Sequence, residues 1–114
     1  MKVAYDGLEI FVRFLDTDSK LSFITSVYYG GNYIPSSVRR CLTHSAPFSH
    51  PPIRTFLTID EKKFQISLNY LGHLNRLDHH NLNELIEEFG SIAEKWRNYL
   101  DEHDKHDLVH VRVK

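Results

Sequence analysis

The chain has 114 residues and a mass of 13.4 kDa, the size of one ordinary domain. Its composition, 41% hydrophobic, 25% charged and 12% aromatic, is that of a globular protein and excludes a disordered or fibrous one. A net charge of −1 offers no bulk attraction to nucleic acid or to an anionic membrane, and the apolar runs fall far short of the ~18 residues of a membrane span. Asp6, Glu9 and Arg13 interrupt the first apolar segment, so no signal-peptide pattern opens the chain and a cytosolic location is expected.

Residues 8–15, Leu-Glu-Ile-Phe-Val-Arg-Phe-Leu, place Leu8, Ile10, Val12 and Phe14 on one face at period two, which predicts a strand. Asp16-Thr17-Asp18-Ser19-Lys20 is a polar turn. Residues 21–29 then alternate again, with Leu21, Phe23, Thr25, Val27 and Tyr29 together. The two runs make an antiparallel hairpin, ended by Gly30-Gly31-Asn32. Pro35 opens a short helix through Val38 and Leu42, because its fixed φ suits a first helical turn. Pro47, Pro51 and Pro52 make 46–52 a loop within the domain. A second hairpin, 53–59 and 63–71, turns at Asp60-Glu61-Lys62. Leu57 and Ile59 share a face of its first arm; Phe64, Ile66, Leu68 and Tyr70 share a face of the return.

Leu82, Leu85, Ile86, Phe89, Ile92, Ala93, Trp96, Tyr99 and Leu100 recur at helical spacing and predict an amphipathic helix over 81–101. Asn81 and Glu84 form a variant of the capping box. Residues 77–107 hold three Lys/Arg against nine Asp/Glu, whereas residues 1–76 hold nine against six, so this helix carries the acidity of the chain. Gly90 costs about 1 kcal/mol in a helix interior, and would let the helix lie close against a strand. Beyond Asp101 the chain turns polar and Leu108–Val113 alternates, so residues 102–114 read as a polar tail or a short extra strand. The fold class expected is a single α+β domain, residues 1–114 with its core in 8–101. In it an antiparallel sheet of two hairpins packs against a long C-terminal amphipathic helix.

Little here suggests an enzyme. There is no phosphate-binding glycine loop, no His-Glu-x-x-His and no Gly-x-Ser-x-Gly. The single cysteine, Cys41, excludes an intramolecular disulfide and reads as a small semi-buried side chain. Among eight histidines, His103, His106 and His110 share one face if the helix runs on, but ligands on one exposed helix end rarely converge on a metal. His79 and His80 precede the long helix and read as neutral, exposed imidazoles. Phe11, Phe23, Tyr28, Tyr29 and Tyr33 lack the interleaved cations of an RNA-stacking sheet, and packing explains them better. No catalytic residue, metal ligand or cofactor is expected.

Residues 55–71 followed by Leu82, Leu85, Phe89, Ala93, Trp96, Arg97 and Leu100 resemble the C-terminal half of the class I type III secretion chaperones of the Tir-chaperone type. Those chains end on a hairpin with an acidic turn and a helix reading roughly Leu-x-x-Leu-x-x-Phe-x-x-x-Ala-x-x-Trp-Arg-x-x-Leu. The upstream hairpin and the Pro35–Leu42 helix fit the same order, so the resemblance covers roughly residues 8–100. The related YbjN-like domains share this fold and a similar helix. The chaperone family usually opens with an amphipathic helix and is usually strongly acidic; here seven residues precede Leu8 and the pI is near 6.7. Part of the sheet is therefore expected to stand uncovered.

The resemblance implies a cytoplasmic, non-enzymatic homodimer without cofactor, which keeps the N-terminal segment of a secreted effector extended and secretion-competent. Apolar side chains of that segment would fill surface grooves, and strand edges would add main-chain pairing. The partner-binding candidates are Phe11, Phe23, Ile24 and Tyr28 on the first hairpin. Val38 and Leu42 are the candidates for the dimer interface, where a charge at Val38 is expected to favour the monomer. The alternative is a YbjN-like regulatory or scaffold domain that binds folded proteins.

Overall fold

The computed structural model describes residues 2–15, 20–42, 53–73 and 82–113, with side chains in the last stretch as far as Asp104. The expected turn at 16–19, the proline loop, the histidine pair and the Asn81 cap lie outside the described residues. The elements in chain order are β1 (Lys2–Tyr5), β2 (Leu8–Leu15), β3 (Lys20–Tyr29), α1 (Ser36–Cys41), β4 (Phe56–Asp60), β5 (Gln65–His73) and α2 (Leu82–Val113). The strands form one antiparallel sheet in the order β1-β2-β3-β5-β4, giving the α+β arrangement that the periodicities predict.

The strand not expected is β1. Tyr5 pairs with Leu8, leaving Asp6 and Gly7 as a two-residue loop with φ of +47° and +86°. Positive φ at both positions is the twist-matched hairpin geometry that Asp-Gly favours, and it folds the first residues back onto β2.

A second departure lies in β3. Its register against β5 shifts between Ser26 and Tyr28, so a bulge places Val27 and Tyr28 both in the core and turns Tyr29 out to solvent. In the second hairpin Asp60 pairs with Gln65, so the turn is Glu61–Phe64 rather than 60–62. The Asp60 carboxylate accepts the Lys62 and Lys63 N–H groups at 3.0 and 3.1 Å. Phe64 sits at φ +54°, an uncommon conformation for a bulky residue, and its carbonyl accepts the Gly30 N–H at 2.8 Å.

α2 lies across one face of the sheet. Leu85, Ile86, Phe89, Ile92, Ala93, Trp96 and Leu100 are buried against Leu8, Ile10, Val12, Leu21, Phe23, Ile66 and Leu68. Phe23 lies between Phe89, 5.3 Å away edge-on, and Tyr70 at 5.5 Å. The buried Thr25 hydroxyl donates to the Glu9 carbonyl at 2.8 Å, which satisfies the polar atom inside this core. α1 begins after Pro35, whose carbonyl accepts the Val38 and Arg39 N–H groups, and it buries Val38 and Cys41. Arg39 holds Glu61 through two bonds of 3.0 and 2.8 Å, tying α1 to the β4–β5 turn.

The helix does not stop near Asp101. Its backbone continues to Val113, which corrects the tail or strand expected of residues 102–114. Each residue added to an existing helix gains a main-chain hydrogen bond, whereas an alternating segment gains only where a strand edge receives it.

Candidate protein-binding face

The other face of the sheet carries no element among the described residues. One rung of the ladder crosses all five strands: Lys2 pairs with Phe11, Phe11 with Ile24, Ile24 with Asn69 and Asn69 with Phe56. The next rung joins Arg13, Ser22 and Leu71, and the one beyond joins Leu15, Lys20 and His73. Side chains of one rung share a face, so the period of two that buries Val12 and Phe23 presents these outward. Phe11, Ile24, Phe56 and Leu71 are respectively 50%, 40%, 52% and 51% exposed, contiguous across neighbouring rungs. They line a shallow groove of about 670 Å³.

Polar groups are few and placed at intervals. The Asn69 amide donates to the Thr58 hydroxyl at 3.0 Å, and Lys2 stands 3.8 Å from Glu9. Arg13 has no carboxylate partner among the described residues. The groove therefore combines apolar and aromatic surface with Lys2 and Arg13 at its border and with Ser22 and Asn69 among its polar lining.

Phe11 and Ile24 thus stand on this face, as the partner-binding expectation requires. Phe23 and Tyr28 do not. Phe23 has the parity of Leu21 and faces α2, and the bulge turns Tyr28 inward; they are 1% and 6% exposed. Phe56 and Leu71 were missed because the second hairpin was read only for its buried face, although the same alternation places them opposite.

The dimer-interface expectation is corrected at Val38. That residue is 0% exposed within a single chain, packed in the core with its α1 neighbour Cys41, while Leu42 is partly buried against the same cluster. The short amphipathic α1 spends its apolar side on α2.

The chemistry of the α1–α2 end is structural. Cys41 is buried with its thiol 3.3 Å from the Ser37 carbonyl, and burial pushes its pKa up, away from a reactive thiolate. Burial, then the neighbouring Asp104 to which it is hydrogen-bonded, pushes Tyr28 up to about 12. His103 lies against the Tyr99 ring at 4.4 Å, with Nδ1 2.9 Å from the Tyr99 carbonyl oxygen. The side chains of His106 and His110 lie outside the described residues, and among the described ones no three potential ligands cluster for a metal. Among the described residues no helix is long and apolar enough to cross a membrane. Neither a protein-family model nor a curated protein sequence matches this chain.

Proposed function

We propose that the chain is a non-enzymatic protein-binding domain of the secretion-chaperone kind, which holds a segment of a secreted protein in an export-competent state in the cytoplasm. The observation that supports this reading is the sheet face that no described element covers, where Phe11, Ile24, Phe56 and Leu71 are all exposed. Four large apolar side chains on adjoining rungs are costly to leave in water, and patches of this kind mark partner sites. A homodimer, as the resemblance implies, would use the outer side of α1 or the sheet edges β1 and β4, since Val38 is already enclosed.

The second reading is a YbjN-like scaffold domain that binds folded proteins, for which the same exposed apolar side chains would serve. Affinity purification from the native host with the unaltered chain and with Phe11→Asp distinguishes the readings. The chaperone reading expects a secreted protein, recovered through a limited segment and lost with Phe11→Asp. Recovery of the same proteins by both chains overturns it, and recovery of a folded, non-secreted partner supports the scaffold.

A further inference from the structure

We infer that the open face receives an amphipathic α-helix with acidic residues flanking its apolar stripe, supplied by the protein partner; this rests on the protein-binding reading above. The first ground is main-chain chemistry. In the middle of the sheet the N–H and C=O groups of β2, β3 and β5 are committed to their neighbours. An extended segment laid over this face gains no main-chain bonds and leaves its own groups to water, so extended segments belong at edges. A helix arrives with its backbone satisfied and brings only side chains, as α2 does on the opposite face with Leu85, Phe89 and Ile92.

The second ground is charge. The rungs around the apolar groups carry Lys2, Arg13 and Lys20, and among the described residues Glu9 is the carboxylate beside Lys2. Asp60 stands farther along, at the end of β4. A cationic border on a chain of net charge −1 selects an acidic partner.

Three synthetic peptides test this, each labelled with a fluorophore and measured by anisotropy and by chemical-shift mapping. One is a helical sequence with leucine at i, i+3, i+4 and i+7 flanked by glutamate. The second carries lysine for each glutamate, and the third repeats the first with a central proline. The glutamate helix is expected to bind at least about tenfold more tightly than either of the others at low salt, moving the resonances of Phe11, Ile24, Phe56 and Leu71. Arg13→Glu, an exposed change whose fold is checked by circular dichroism, is expected to reverse the preference between glutamate and lysine. Equal binding of the two charges, or undiminished binding of the proline peptide, overturns the inference while leaving the protein-binding face in place. Failure of all three peptides to perturb the face overturns both, as does a dimer that buries the face and dissociates with Phe11→Asp.

Discussion

The ring of Tyr5 packs on the backbone of Gly90, joining the edge strand β1 to the helix that crosses the sheet. A Cβ built at Gly90 would fall 2.7 Å from the Tyr5 Cε1 and Cγ atoms, closer than real carbon contacts allow. The glycine in the helix is therefore a seat for an aromatic ring, and its propensity cost is offset by that packing. Gly90→Ala is expected to destabilise by about 1–2 kcal/mol despite alanine's better helix propensity. In Tyr5→Ala/Gly90→Ala the alanine should become neutral or favourable. A double-mutant cycle in urea that gives no coupling between the two positions would remove the contact from the account.

The Asp6-Gly7 loop controls whether Tyr5 reaches that seat. At φ +86° a β-branched side chain is strained, so Gly7→Val is expected to cost about 1–3 kcal/mol and to fray β1. Asp6→Asn, which tolerates positive φ equally well, should be close to neutral. Hydrogen exchange at Val3 and Tyr5 reads the difference: the valine variant should lose protection there and keep it in β3 and β5.

Much of this fold was legible as periodicity. The alternations of 8–12 and 21–26 and the 3.6-residue repeat from Leu82 to Leu100 each describe a face that the structure buries, whereas Phe14, expected with Leu8, Ile10 and Val12, is 43% exposed near the end of its strand. The helix anchors behind the family resemblance, Leu85, Phe89, Ala93, Trp96 and Leu100, are core residues, so packing alone requires them. What periodicity misses is local. Four residues are too few to show alternation in β1, and only the Asp-Gly pair signals it. The bulge at Val27 inverts parity for the rest of β3, which is why Tyr28 was assigned to the wrong face. The open face needed one further step, since every strand that buries one set of side chains presents the other.

Val38 separates a role in the core from one at an interface. It is fully enclosed in one chain, so Val38→Ala is expected to cost about 2 kcal/mol without changing the oligomeric state. Val38→Glu would bury an unpaired carboxylate and should abolish cooperative unfolding rather than release a folded monomer. Circular dichroism melts with light scattering decide it, and a folded Val38→Glu monomer would restore the interface reading.

Tyr28 links stability to alkaline pH. Its folded pKa is raised from 10.0 to about 12, chiefly by burial and then by Asp104, so the folded state holds the phenol proton more tightly than the unfolded one. The contribution is fully present below pH 10 and is lost as pH rises towards 12, at most about 3 kcal/mol. Urea midpoints for the unaltered chain should fall across that window more steeply than those of Tyr28→Phe. Parallel slopes would show that Tyr28 ionises alike in both states.

The assignment of faces is tested most directly by two phenylalanines on neighbouring strands. Phe11 and Phe23 belong to adjacent rungs of the β2–β3 ladder, paired with Ile24 and Val12 respectively. Phe23 is closed between Phe89 and Tyr70, and Phe11 is half exposed beside Ile24. Phe23→Ala is accordingly expected to cost about 3–5 kcal/mol through lost burial and the cavity it leaves. Phe11→Thr puts a β-branched residue of good strand propensity on the open face and should cost about 1 kcal/mol or less. If the face is a docking surface, the same threonine should weaken peptide binding at least about tenfold while the fold persists, because a central aromatic anchor is removed. Urea denaturation and anisotropy on the same preparations read both effects. Comparable destabilisation by the two substitutions would mean that Phe11 is core, and that this face is covered rather than open.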